Sequence, residues 1–130
     1  MTKKYEVYRC EICGNIIEVI HEGSNTLMCC GQLMKQVVLE ANQERQEKHL
    51  PVVEKKDRKL TVKIGAVLHP MLAEHYIEWI EVINGDESVR SFLNPGDEPI
   101  AEFEMESGGE IIVRTYCNLH GLWQSIVKKI

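Results

Sequence analysis

The cysteines constrain this chain more than any other feature. Four of the five, Cys10, Cys13, Cys29 and Cys30, fall within the first thirty residues, and the fifth is Cys117. Residues 5–38, which hold the first four, form a stretch too short to bury the apolar area an independent fold needs, so a structural metal is expected there. Met1-Thr2-Lys3-Lys4-Tyr5 opens no export-signal core, and the odd count argues against a closed set of disulfides. Thiols in a reducing compartment point to metal binding or catalysis instead. The expected protein is therefore soluble and cytoplasmic. No apolar run approaches the roughly 18 residues a membrane span requires. The net charge of −5 argues against nucleic acid as a general partner.

Cys10-Glu11-Ile12-Cys13-Gly14 is a C-x2-C knuckle with glycine where a tight turn needs positive φ. Ile16 to Ile20 read as a short strand, and Leu27-Met28 leads into the adjacent pair Cys29-Cys30. Four thiolates suit a tetrahedral site. Adjacent sulfurs should distort it, because one backbone cannot wrap both symmetrically. The spacing does not distinguish iron from zinc, nor an electron relay from a staple.

Residues 39–48 are polar and read as a linker or a solvated helix. From Pro51 onward the pattern is β. Val52-Val53, Leu60 to Val67, His75 to Ile83, Val89 to Leu93, Ile100 to Met105, Ile111 to Tyr116 and Leu122 to Val127 make about seven short strands. Turns fall at Asn84-Gly85-Asp86, Asn94-Pro95-Gly96-Asp97 and Ser107-Gly108-Gly109. The expected fold is mainly β, with a four-cysteine metal domain at 1–38 and a seven-stranded, immunoglobulin-like antiparallel sandwich at 49–130.

Four histidines fall at strand ends or loops: His49, His69, His75 and His120. Cys117 stands three residues before His120, so a turn there lets both reach one metal. Imidazoles suit iron, copper, nickel and zinc, and a single thiolate shifts the choice towards a redox-active ion. Five donors leave an octahedral ion one open position. His21 has no such company and reads as a surface residue. A cupredoxin-like copper carrier needs fewer histidines and an axial Met where Gly121-Leu122-Trp123 stands. A metal-stapled binding module leaves the five late donors unexplained.

The segments YRCEICGN, LMCCGQLM, EKHLPVVE, HPMLAEHYIEWIE and CNLHGLW, in this order and spacing, resemble desulfoferrodoxin, the two-domain superoxide reductase with an N-terminal desulforedoxin-like domain. The resemblance spans nearly the whole chain. It implies two iron ions, one held by Cys10, Cys13, Cys29 and Cys30. The other is held by His49, His69, His75 and His120 in a plane with Cys117 as axial thiolate. Glu47 matches the carboxylate that closes the open position in the ferric state, and Lys48 the cation beside it. The amides of Leu119 and His120 are the expected donors to the Cys117 sulfur. The implied reaction is one-electron reduction of superoxide to hydrogen peroxide, consuming two protons and releasing no dioxygen. A rubredoxin donor and a homodimer are implied by the resemblance alone. A superoxide dismutase is the nearest enzymatic rival, but it needs a ferric site that oxidises superoxide, which a bound Glu47 would oppose.

Overall fold

The short apolar runs before residue 38 give strands of only two or three residues. The computed structural model describes residues 1–41, 43–105 and 109–130, and the chain divides into two compact units, Met1–Val38 and Leu39–Ile130. In the first unit, β1 (Val7–Arg9) lies between β2 (Ile16–Glu18) and β5 (Lys35–Val37), antiparallel to both. A hairpin joins β3 (Met28–Cys29) to β4 (Gln32–Leu33). Its apolar core is slight: Val7 and Val19 are buried with Cys10, while Ile12, Ile20, Met28 and Leu33 are exposed. So little burial leaves the unit in need of a covalent or metal staple.

The second unit opens with a 3-10 turn (Gln43–Arg45) and a single helical turn, α1 (Gln46–His49). Leu39 pairs with Leu122 ahead of that turn. Seven strands follow: β6 (Pro51–Lys56), β7 (Lys59–Ile64), β8 (Ile77–Asn84), β9 (Glu87–Phe92), β10 (Ile100–Glu104), β11 (Ile111–Cys117) and β12 (Gly121–Val127). They form two antiparallel sheets, ordered β10-β7-β6 and β12-β11-β8-β9. Leu60, Val62 and Ile64 from the first sheet meet Ile80, Val82 and Val113 from the second in one buried cluster. Each such side chain contributes about 1.5–3 kcal/mol.

The second expected strand ends at Ile64 rather than Val67, because Gly65 turns the chain at φ +88°. The third begins at Ile77 rather than His75, which instead pairs with Leu72 across a tight loop. Between β11 and β8 the register shifts at Tyr116/Cys117: Tyr116 faces Trp79, but Cys117 faces Ile77. This bulge redirects the end of β11. On the face of the second sheet opposite the core, Glu81 accepts from Arg114 Nε (2.9 Å) and Nη2 (2.7 Å), and from Arg90 Nη2 (2.7 Å). The Arg90 guanidinium also lies 4.5 Å from the Trp79 ring centroid.

Gly65 fixes how α1 meets the loop after β7. A Cβ there would stand 2.5 Å from Lys48 Cα, 2.5 Å from Val67 O and 2.6 Å from Glu47 O, all backbone atoms. The Val67 amide donates to that same Glu47 carbonyl at 3.2 Å. Gly65→Ala should therefore cost about 3 kcal/mol or more. Gly85→Ala, at φ +60° with nothing within 4 Å, should cost about 1 kcal/mol. Urea midpoints of the two variants check this; equal losses would contradict the close-approach argument.

Candidate metal centres

The hairpin turn between β3 and β4 is Cys30-Gly31, and both residues take positive φ, +53° and +75°. That pattern is a type I′ turn, unusual for a residue with a Cβ. It is how the backbone lets neighbouring cysteines face one point. Gly14 takes φ +83° at the knuckle, as its place after Cys13 suggests. Cys13 Sγ and Cys29 Sγ are 3.6 Å apart, and Cys29 Sγ and Cys30 Sγ 3.9 Å apart. All four sulfurs lie within 4.8 Å of one another. These separations are far beyond a disulfide bond. A metal about 2.3 Å from each of four sulfurs in a tetrahedron holds them about 3.8 Å apart. Cys10 and Cys30 are shifted in opposite directions. Backbone N–H groups, that of Cys13 foremost, bring the Cys10 thiol down to about 6. Hydrogen bonding to the neighbouring Cys13 and Cys10 sulfurs pushes the Cys30 thiol up to about 12, so this sulfur resists ionisation without a cation.

The second cluster gathers at one end of the two sheets. His49 closes α1, His69 follows β7, His75 precedes β8, and Cys117 and His120 flank the β11–β12 turn. Neighbouring imidazoles form a closed ring. Centroid separations are 4.6 Å for His49–His69, 4.6 Å for His69–His75, 4.9 Å for His75–His120 and 5.0 Å for His120–His49, with planes 72–86° apart. Cys117 is fully buried, with Sγ 3.9 Å from His120 Nδ1. The five donor atoms lie within 4.8 Å of one another.

Hydrogen bonds decide what these rings present to the centre. His49 Nδ1–H donates to the Arg45 carbonyl at 2.7 Å, and His69 Nδ1–H to the Pro70 carbonyl at 2.7 Å. A carbonyl only accepts, so both Nδ1 atoms carry the proton and both Nε2 atoms carry lone pairs. Those two Nε2 atoms nevertheless stand 3.1 Å apart. Burial, first among the causes, lowers the pKa of both rings, that of His69 to about 4. The contact is lone pair against lone pair. Two nitrogens each about 2.1 Å from a metal, at right angles, would be about 3.0 Å apart. His75 Nε2 is buried without a hydrogen-bond partner. The residues fit a cation, and an anchored second nitrogen is the usual mark of a metal-binding imidazole.

Burial raises the Cys117 thiol, while the amides of His120 and Leu119 bond to its sulfur and lower it. These are the two donors expected from the sequence. Glu47 and Lys48 are exposed and line a cleft of about 380 Å³ together with Glu44, Arg45 and the four histidines. Cys117 does not line this cleft, so the sulfur lies behind the imidazoles and the opening in front. Two larger hollows, about 520 and 620 Å³, are lined by the β6–β7 turn with β10 and by the β8–β9 turn with β10, and hold none of these donors. His21 is exposed and stands apart from both clusters.

Sequence reasoning missed the supports. The carbonyls of Arg45 and Pro70 are backbone groups and leave no mark in a residue pattern. Trp123 stacks on His49 (4.7 Å, 20°) and donates Nε1–H to the His120 carbonyl at 3.1 Å. Its place three residues after His120 was the available signal.

A mainly β chain with one all-thiolate and one imidazole–thiolate cluster carries two candidate metal centres of different donor chemistry. Residues 41–126 match the profile of the desulfoferrodoxin family and residues 2–37 that of the desulfoferrodoxin N-terminal domain. A desulfoferrodoxin homolog of Archaeoglobus fulgidus is 52% identical over 96% of this chain and 99% of its own length. The desulfoferrodoxin of Nitratidesulfovibrio vulgaris is 45% identical over 96% and 98%. The crystal structure of the superoxide reductase from Treponema pallidum superposes with a TM-score of 0.75 at 25% identity, covering 96% of this chain and 99% of that one. The chain belongs to the desulfoferrodoxin family.

The lowered histidines make stability depend on pH. Unfolded imidazole takes a proton near 6.5, whereas folded His69 refuses it until about 4. His49 and His120 shift the same way, chiefly through burial. The unfolded chain binds more protons between those values, so the stabilisation is complete above pH 6.5 and is lost as pH falls towards 4. Urea midpoints of the metal-stripped protein should fall between pH 7 and pH 5, and a flat profile would contradict the burial of neutral imidazoles.

Proposed function

We propose that the chain is a superoxide reductase, converting superoxide to hydrogen peroxide with one electron and two protons and without releasing dioxygen. One observation carries this: four imidazoles ring a point, with a buried sulfur behind it and an open cleft in front. A copper carrier would need a closed three-donor site with a weak axial ligand, whereas four histidines and an open face suit a site where a small substrate reacts.

A ferrous ion bound among His49, His69, His75, His120 and Cys117 would supply the single electron. This chain's own residues do the rest. Lys48 sets a positive charge at the cleft against a net charge of −5, which draws a small anion inward. The exposed mouth admits water, the source of both protons. The amides of Leu119 and His120 withdraw density from the Cys117 sulfur and tune its donation. Glu47 is the carboxylate that closes the cleft in the oxidised state. The exposure of its side chain, in the same cleft as Lys48, supports that role.

The same reading assigns a second iron to Cys10, Cys13, Cys29 and Cys30, with zinc as the alternative ion. It takes residues 1–38 as a desulforedoxin-like domain, 39–48 as a linker and 49–130 as an immunoglobulin-like catalytic sandwich. The supporting features are the boundary after Val38 and the two sheets around one core. A rubredoxin donor, a homodimer and a cytoplasmic location complete the proposal. Five free thiols suit a reducing compartment, and no helix among the described residues is long and apolar enough to cross a membrane.

Reduced protein given a metered superoxide flux, with excess reductant, should yield peroxide equal to the superoxide consumed and no dioxygen. Equal peroxide and dioxygen would mean dismutation and overturn the proposal. Lys48→Ile should slow the bimolecular step about tenfold at low salt and progressively less as salt screens the charge. A rate matching the parent at every ionic strength would remove Lys48 from the mechanism. Glu47→Ala should leave the reaction with superoxide largely intact but change the ferric absorption spectrum; an unchanged spectrum would exclude its proposed role.

A further inference from the structure

His49 and His69 are each fixed by a hydrogen bond from the outer ring nitrogen to a carbonyl. His75 is not. Its Nε2 is buried without a partner, and among the described residues none bonds its ring. Its position must come from the backbone that carries it. That backbone runs through the short Leu72–His75 loop, where the only ladder is the bridge between those two residues.

Asn118 bonds this segment on both sides of His75. Its Nδ2 donates to the Glu74 carbonyl at 3.1 Å, and its Oδ1 accepts from the Tyr76 amide at 2.9 Å. Its own amide donates to the Tyr76 carbonyl at 3.2 Å. The β11–β8 ladder ends at the Cys117–Ile77 pair just beyond the bulge, and the Asn118 side chain extends it by one more pair. A primary amide is the smallest group that offers a donor and an acceptor side by side, so it can read a C=O and an N–H two residues apart. Asn118 directly follows Cys117. Asn118 thus ties the sulfur's strand end to the peptide groups flanking an imidazole 43 positions before it.

We infer that Asn118 is a positioning residue that sets the His75 imidazole relative to the Cys117 sulfur by clamping the Glu74 carbonyl and the Tyr76 amide. The inference rests on the reading of the five side chains as one iron site. It concerns the geometry of that site and not the reaction with superoxide.

The test uses the full chain loaded with iron and then oxidised. Iron retention against a chelator and the thiolate-to-ferric charge-transfer absorption of the five-donor site are read together, with the four-cysteine centre as internal control. Asn118→Ala should weaken iron binding at the five-donor site about tenfold or more, shift the charge-transfer band, and leave the four-cysteine signal unchanged. Asn118→Asp keeps the acceptor for Tyr76 but cannot donate to Glu74, so it should fall between the two; it also preserves volume should the alanine variant misfold. Thr115→Val removes a comparable buried hydrogen bond, from Thr115 Oγ1 to the Trp79 carbonyl at 2.8 Å, two residues before Cys117. It should lower stability without moving the band. An unshifted band in the Asn118 variants, or the same shift in Thr115→Val, overturns the inference. A parent chain that binds iron only at the four-cysteine centre would overturn the site reading itself.

Discussion

Two lone pairs held 3.1 Å apart are the constraint on which the five-donor site depends. Neutral imidazoles repel in that arrangement, and only a cation between them turns the contact into an attraction. The fold accepts the arrangement because the Arg45 and Pro70 carbonyls fix the outward nitrogens and Trp123 stacks on one ring. Donors from α1, from both ends of the β7–β8 connection and from the β11–β12 turn reach one point because all these segments emerge at the same end of the two sheets. A rigid apolar core behind them holds the convergence without the ion's help.

The two clusters stand in opposite relations to their scaffolds. In the second unit a core of fully buried Leu, Ile and Val side chains comes first, and the site is placed upon it. In the first unit almost nothing apolar is buried, so the sulfurs are themselves the centre of the structure. The left-handed backbone at Cys30 has the same origin: two neighbouring side chains can converge only if the chain between them takes a turn most residues avoid. A ligand that must also organise its own fold tolerates such strain; a ligand on a finished scaffold has no need of it.

Much of this was legible in the sequence. The two donor sets stand out as residue types at loop positions, and the seven strands follow from alternation in Tyr76 to Val82 and Ala101 to Met105. Strand ends were less legible. His75 was expected to open a strand, but the bulge opposite Cys117 and the Asn118 clamp leave it in a loop. The supports of the imidazoles were least legible, since a carbonyl is present at every position and only the folded chain selects Arg45 and Pro70. Gly65 belongs to the same class: the sequence placed Gly85 in a turn and Gly65 inside a strand, yet three backbone atoms crowd Gly65 and none crowds Gly85.

The buried Glu81 carboxylate bears on how the axial thiol finds its place. Alternation alone cannot tell a correct strand pairing from one displaced by two residues, because both keep every side chain on its own face. Such a displacement of β11 along β8 would carry Arg114 away from Glu81 to a position opposite Trp79 or Ile83. It would part the buried Arg114 guanidinium from Glu81, which keeps its bond from Arg90, and breaking a buried ion pair costs several kcal/mol. It would also move Cys117, three residues further along the same strand, by about 7 Å, away from the imidazoles of His49, His69 and His75. The ion pair thus favours the register that brings Cys117 to those three imidazoles over a displaced one whose hydrophobic pattern is the same.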